Sequence, residues 1–240
     1  PSEGRPMKHS SAQEFDDGYE LASHDDMPYR SGLAGPNGIL KRGFDIAGGV
    51  AMLVLFAPLM AIVAAMIWRY DGAPILFAHA RVGRSGRTFH CYKFRTMIRD
   101  AETVLQQHLA NNPHAAQEWR ETRKLREDPR IIGQIGQFLR RNSLDELPQI
   151  LNVIRGDMSL VGPRPIITSE LSLYGRDAAV YLSARPGLTG PWQVSGRNLV
   201  SYQERVAMDV NYVRNWRLSW DIQIVCQTAL LVLRGDKGAY

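Results

Sequence analysis

From Ile46 to Trp68 the chain runs for 23 residues without a formal charge, where about 20 apolar residues suffice to cross the hydrocarbon of a bilayer. Helices buried in soluble cores are ordinarily shorter than this, so the segment belongs in a membrane. Pro58 sits near its middle, where the missing N–H and the ring clash kink or break a helix. Lys41 and Arg42 precede the run, and Arg69, Arg81, Arg84 and Arg87 follow it. Positive flanks mark the cytoplasmic side of a membrane, and here both flanks are positive. A helix over residues 39–70 that enters, bends at Pro58 and returns to the same face satisfies both facts, with a kinked span as the alternative. Either places the remainder of the chain, residues 71–240, on the cytoplasmic side.

Residues 1–38 are rich in Ser, Gly, Asp, Glu and Pro and show no apolar period, the composition of a disordered leader. The first 40 residues carry a net charge of −4, which leaves +9 for the rest of a chain whose total is +5. That body favours anionic partners. Phosphorylated metabolites, anionic lipid and nucleic acid all qualify on charge alone. Cys91 and Cys226 form no CxxC or Cys/His pattern, so neither a disulfide framework nor a zinc site is indicated.

Beyond the apolar run, "RVGRSGRTFHCYKFRTM" has a turn at Gly83, Ser85 and Gly86 followed by strand-like residues. In a strand Lys93 and Arg95 share one face, either as paired cations of a site or as charges on a solvated edge. Residues 99–127 predict two polar surface helices interrupted at Asn111 to Pro113, and "IGQFLRRNS" predicts a short helix after them. Another begins at Pro148 and turns at Gly156. "ARPGLTGPWQVSGR" reads as a loop from its glycines and prolines. The last stretch, "WRLSWDIQIVCQTALLVLRG", predicts a helix of about four turns. Trp216 and Trp220 with Arg214, Arg217 and Arg234 at its ends suit a helix lying at a membrane interface, and a core helix is the alternative.

The segment "RRNSLDELPQI" sets Asp145 beside Glu146. Ser143 and Glu146 match a capping box, but a helix capped at Ser143 would place Pro148 inside it, where proline removes a hydrogen bond. Proline prefers the first helical position and pushes the residue before it away from helix. The acids therefore belong at a junction between two helices. Adjacent carboxylates stay ionised together only beside cations or a metal, and Arg140, Arg141, Lys93, Arg95, Arg155 and Arg164 supply them. Such a carboxylate favours its ionised form and suits nucleophilic attack on phosphorus, while arginines pair with phosphate oxygens. The residues alone point to a membrane-bound enzyme acting on phosphates.

"KRGFDI", "KFRTM", "RRNSLDELPQILNVIRGDMSLVGPRP", "RPGLTGPWQVSGR" and "WRLSWDIQIV" together resemble the bacterial sugar transferases, the monotopic phosphoglycosyl transferases. The resemblance runs from about Lys41 to Tyr240 and is nearest to exopolysaccharide galactosyl-phosphate transferases. It implies an α+β fold, mainly helical: a re-entrant membrane helix, interfacial amphipathic helices and a small strand element, in a monotopic protein of the bacterial inner membrane. It implies transfer of hexose 1-phosphate, galactose or glucose, from a UDP-sugar (UDP-hexose) to undecaprenyl phosphate. UMP is released, an exopolysaccharide repeat begins, and the route passes through a covalent sugar-phosphate on an aspartate with magnesium (Mg2+) as cofactor. By motif, Asp145 is the nucleophile and magnesium contact, with Glu146 assisting it. Pro163, Arg164 and Pro165 match the segment associated with the nucleotide, and Lys93, Arg95, Arg141 and Arg197 fall in motifs that hold phosphates. Membrane lipid is an expected partner, nucleic acid is not, and a homodimer is left open. Ala57-Pro58 departs from the frequent Ser-Pro of the family and removes a hydroxyl that would satisfy a freed carbonyl. Asp157 is expected in a structural ion pair with an arginine, with a metal contact as the alternative. A membrane-tethered scaffold holding anionic lipid is the contrasting reading of the whole chain, and it would not need Asp145.

Overall fold

Helix α1, Pro36–Asp71, is 36 residues long. Proline stands in its first turn, where the lost N–H had no partner to lose. Gly72, at a φ of 67°, closes it by donating its N–H to the Trp68 carbonyl. Helical geometry continues through Pro58 without a gap, so the proline does not end the helix. A single proline deletes one rung of the ladder, and the Leu-, Met- and Ala-rich residues on either side have the propensity to keep the rest. Among the described residues of this computed structural model, 31–122, 125–195 and 200–234, α1 is the one helix long and apolar enough to cross a membrane.

The midsection of α1 faces outward, with Val54 and Leu55 each 71% exposed, while both ends are held by the rest of the chain. Near the start, Gly49 packs on Val153 and Ile154, and Arg42 donates to the carbonyls of Val153 and Ile154 at 2.6 and 2.7 Å. Near the end, Val63 and Ile67 pack with Phe94 and Leu139, and the Arg95 guanidinium bonds the Asp71 carboxylate. Lys41, read from sequence as a flanking surface charge, is buried instead. Its Nζ lies 2.7 Å from Asp45 and 2.9 Å from Asp221, and these neutralise it. The leader also ends earlier than expected, since Gly32 N–H donates to the Val213 carbonyl and Leu33 packs on the core. The remainder of the predicted leader, 1–30, lies outside the described residues.

Strands β1, Leu76–Val82, and β2, Thr88–Phe94, form an antiparallel hairpin in which Phe77 pairs with Lys93, His79 with Cys91 and Arg81 with Phe89. The expected turn is there, with Ser85 and Gly86 both at positive φ. β1 was not anticipated, because its residues read as the basic flank of the membrane segment. Helices α2, Ala101–Asn111, and α3, Pro113–Thr122, break where predicted. α4, Gly133–Arg141, and α5, Gln149–Arg155, follow, and Gly156 ends α5 in the left-handed conformation.

Strand β3, Ser159–Val161, runs parallel to β4, Gly187–Thr189. β4 lies inside the stretch expected to be a loop. Its glycine is required for contact rather than for a turn: a Cβ on Gly187 would sit 2.1 Å from the Gly162 nitrogen. α6, Ala178–Ser183, precedes β4 in the chain and α7, Pro191–Val194, follows it. α8, Tyr202–Arg214, and α9, Leu218–Leu233, complete the fold. Val153, Met158, Val161, Tyr212 and Val213 form the centre of the core. Trp216, expected at a membrane interface, belongs to this core, where its indole N–H donates to Asp221. α9 is a core helix in its first half only. Asp221 and Ile224 are buried, whereas Val232 and Leu233 are 62% and 81% exposed.

Candidate active site

The chain leaves α4 at Arg141 and enters α5 at Gln149, and the acid pair lies in the connection. Ser143 takes a left-handed φ of 54°, and Leu144–Glu146 form one tight 3-10 turn. The capping box does not form: the Ser143 hydroxyl caps nothing, and its backbone carbonyl accepts from the Glu146 N–H at 3.2 Å. Pro148 stands at the head of α5, where an N–H is not needed. The junction predicted from that proline is the one observed.

Asp145 is 8% exposed, and Glu146 is partly open to solvent. Lys93 Nζ donates to Glu146 Oε1 at 2.6 Å. Burial raises the Asp145 carboxyl, the charge of Glu146 adds to this, and together they bring it to about 6 against the opposing pull of Lys93, Arg140 and its own backbone N–H. Loss of solvent outweighs the cations and raises the carboxyl, and at about 6 its ionised form still predominates at neutral pH. Burial also works against the charged form of Lys93, but attraction and a hydrogen bond from Glu146, then attraction from Asp145, hold its ammonium above the ordinary range.

A buried carboxylate with a second acid adjacent suits a divalent cation. Magnesium is commonly held by one or two carboxylates together with substrate phosphates. Among the described residues no group of three or more His, Cys, Asp and Glu gathers as a self-sufficient metal cage. The donor set therefore fits magnesium that arrives with a phosphorylated substrate.

Other predicted residues are distributed differently. Arg95 does not turn with Lys93 to the acids. Its guanidinium donates to the carbonyls of Pro74 and Gly72 at 2.6 and 2.7 Å as well as to Asp71, fastening the end of α1. Arg141 is exposed at the end of α4, Pro163 is buried and Pro165 half-buried. Arg164 is exposed, with its guanidinium 5.5 Å from the Trp192 ring centre. Ile166, just beyond, accepts from the Val82 N–H, which sets this segment at the turn end of the hairpin, away from Lys93. Arg197 lies outside the described residues. Asp157 makes no ion pair among the described residues and accepts instead from Asn152 at 3.2 Å.

The family model described as bacterial sugar transferase matches residues 36–235. The chain belongs to the bacterial sugar transferase family. It is 49% identical over 213 residues to the exopolysaccharide production protein ExoY of Sinorhizobium fredii, a match covering 88% of this chain and 94% of that protein. It is 52% identical over 201 residues to the undecaprenyl-phosphate galactose phosphotransferase of Salmonella typhimurium, covering 84% of this chain and 42% of that protein. The UDP-glucose:undecaprenyl-phosphate glucose-1-phosphate transferase of Escherichia coli K12 is 34% identical over 223 residues, 88% of this chain and 44% of that one.

Sequence reasoning missed one residue that positions the candidate site. Asn152, fully buried on α5, accepts from the Tyr92 N–H at 3.0 Å and donates to the His90 carbonyl at 2.8 Å. It locks β2 to α5, so the strand that carries Lys93 and the helix that follows Glu146 keep one register. Its signal was an amide within the apolar run "QILNVI", where a buried side-chain amide needs partners. The thiol of Cys91, on the same strand, is pushed up to about 11 by burial.

Proposed function

We propose that the protein is a membrane-bound phosphoglycosyl transferase that moves hexose 1-phosphate, galactose or glucose, from a UDP-sugar to undecaprenyl phosphate, initiating an exopolysaccharide repeat. The observation that carries this is Asp145: a buried carboxylate in a tight turn, raised to about 6, beside a Lys93–Glu146 pair. Its carboxylate attacks the phosphorus that bears the sugar. The phosphoanhydride bond breaks, and UMP leaves with the electron pair. A phosphate oxygen of undecaprenyl phosphate then attacks the same phosphorus, the bond to Asp145 breaks, and the carboxylate is restored. Raised basicity favours the first attack, while Lys93 and Arg140 offer positive charge to the phosphoryl oxygens. Magnesium held through Asp145 would supply further positive charge against the phosphate of the leaving UMP.

Relatives named for undecaprenyl-phosphate transfer of galactose and glucose support this substrate class. What supports a re-entrant α1 is the grip at both ends. A helix crossing about 30 Å of hydrocarbon would deliver its ends to opposite faces, where one domain cannot hold both. The domain would then lie on the cytoplasmic face of the inner membrane, with the exposed apolar end of α9 at the interface. The test is UMP release by purified protein given UDP-galactose or UDP-glucose and undecaprenyl phosphate. No release with any common UDP-hexose, or full activity in Asp145→Asn, removes the reading. Intact mass after UDP-sugar alone separates the covalent route from direct attack by the lipid phosphate, since only the former leaves a mass increase of one hexose phosphate.

A further inference from the structure

We infer that the cavity beside the start of α1, between Asp45 and the pair Arg84 and Arg185, is a headgroup site for a membrane phospholipid that ends in a primary ammonium, such as phosphatidylethanolamine. The ammonium goes to Asp45 and the lipid phosphate to the two arginines. The inference rests on the reading of α1 as a membrane helix, and the site shares no residue with the acid pair. None of these three residues was read from sequence as a site residue, and Arg84 was counted only among the membrane-flanking charges.

The inner end of the cavity is built from α1 and β3. Asp45 is fully buried, and its Oδ1 accepts from Lys41 Nζ at 2.7 Å, from the Ser159 hydroxyl at 2.9 Å and from the Leu160 N–H at 3.0 Å. Its Oδ2 is shielded from solvent and has no hydrogen-bond partner among the described residues. Lys41 has no further donor to offer, because its three N–H groups go to Asp45, Asp221 and Ser159. The Tyr212 hydroxyl is committed to Asp221 at 2.6 Å and to the Val161 carbonyl at 3.0 Å. A buried acceptor without a donor is costly. The cavity lined by Asp45, Lys41, Ser159 and Tyr212 has a volume of about 20 Å3, room for one water-sized group. A primary ammonium is of that size and brings the donor that Oδ2 lacks, whereas a trimethylammonium is too large and has no N–H. Lys41 already lies between two carboxylates, Asp45 and Asp221, so a second ammonium brings this buried group of charges to neutrality.

Arg84, in the turn of the hairpin, and Arg185, beyond the end of α6, line the same cavity. Arg84 is exposed, and no hydrogen bond or ion pair engages its guanidinium among the described residues. Arg185 is half-buried and donates from Nε to the Gly156 carbonyl at 2.8 Å, which leaves the terminal nitrogens of its fork. Burial and then the charges of Arg84 and Arg42 hold the Arg185 guanidinium below its ordinary value, against the attraction of Asp45. Arg42, the remaining cation here, is committed to the Val153 and Ile154 carbonyls. Guanidinium forks match phosphate oxygens in pairs. One cavity that offers a carboxylate oxygen at one side and two guanidinium groups at the other suits a zwitterion better than an anion, and in an ethanolamine headgroup two carbons separate the ammonium from the phosphate. The level on α1 suits a lipid as well. Asp45 directly precedes the apolar run that begins at Ile46, and Ile39 and Leu40 on the same turns are exposed. The cavity therefore stands where a membrane helix passes from the headgroups into hydrocarbon.

The test titrates full-length protein in detergent with phosphatidylethanolamine, phosphatidylcholine or phosphatidylglycerol, reading the melting midpoint and the lipid retained in native mass spectrometry. Phosphatidylethanolamine should raise the midpoint and be retained. Phosphatidylcholine, which keeps the phosphate but has no N–H, and phosphatidylglycerol, which has no amine, should do neither. Arg84→Gln and Arg185→Gln should each weaken the phosphatidylethanolamine response about tenfold in lipid concentration. Arg126→Gln, whose side chain is 95% exposed, should respond as wild type does. Should Arg185→Gln melt early without lipid because Gly156 loses its donor, Arg84→Gln, in an exposed turn, decides the matter alone. Equal responses to the three lipids overturn the headgroup site and leave a cavity that holds only water, and a full response in Arg84→Gln overturns it too. O-phosphoethanolamine, the headgroup without acyl chains, should act only at far higher concentration; an equal effect overturns the lipid as the source of the ligand. A wild type that stays soluble without detergent and does not enter vesicles overturns the membrane reading of α1 instead, so the two failures are distinguishable.

Discussion

Replacing the proposed nucleophile should make the protein more stable. Asp145 has a carboxyl raised from 3.8 to about 6, chiefly by burial, so the native state holds its proton more tightly than the unfolded chain does. Its favourable contribution is complete below pH 3.8 and is lost as the pH rises through about 6. Above that, the ionised and poorly solvated group costs the fold about 3 kcal/mol, at 1.36 kcal/mol per pH unit. Asparagine has nearly the same shape and carries no charge at any pH. For a chain of this size 1 kcal/mol moves the melting midpoint by about 2–4 °C. Asp145→Asn should therefore melt about 6–12 °C higher than wild type at pH 7.5 in magnesium-free buffer, and at the same temperature as wild type near pH 4. Differential scanning fluorimetry of detergent-purified protein between pH 4 and 8 reads this directly. Adding magnesium should narrow the gap by stabilising wild type alone, because the ion relieves the charge that the variant lacks. A variant that melts lower at pH 7.5, or a difference that does not change with pH, would refute the burial account of Asp145.

The acidic limb of the pH–rate profile should follow an apparent pKa near 6, the value to which Asp145 is raised, with activity rising as the carboxylate forms. Lys93→Met removes an attraction that opposes the rise, so its limb should move to higher pH with kcat down about a hundredfold, and a limb that stays in place would count against Lys93 acting on Asp145. Arg95→Lys cannot reproduce the fork that holds Asp71, Gly72 and Pro74; it should cost about 1–3 kcal/mol in denaturant unfolding while leaving the donor KM unchanged. For topology, single cysteines at Ser31 and Arg69 in a Cys226→Ser background should both resist impermeant thiol reagents applied outside intact cells, and labelling at one end only would establish a span.

The acid-pair junction was legible because Pro148 forbids the one helix that the capping box would otherwise start, a local rule that no tertiary contact overrode. The helix break at Asn111 to Pro113 and the turn at Gly83 to Gly86 were legible for the same reason. Pairing across the chain was not. β3 and β4 are three residues each, too short for any period to show, and they exist because Gly162 and Gly187 let two backbones meet. The fates of Lys41 and Arg95 were misjudged because a charge beside an apolar run looks alike whether it faces water or a buried carboxylate. Asp45, one helical turn from Lys41, and the more distant Asp71 and Asp221 decide between those outcomes.

The grip on both ends of α1 has a mechanical consequence. A membrane helix attached at one end can swing like a mooring line while its domain stays level. Here Arg42 and the Lys41 charges fix one end to β3, α5 and α9, and Arg95 fixes the other to the strand that bears Lys93. Helix and domain therefore tilt as one rigid keel and hull. On the proposed mechanism, the depth at which α1 settles in lipid would set the height of Asp145 above the acyl chains, and the bilayer itself would become the gauge that levels the proposed nucleophile with the phosphate it must meet.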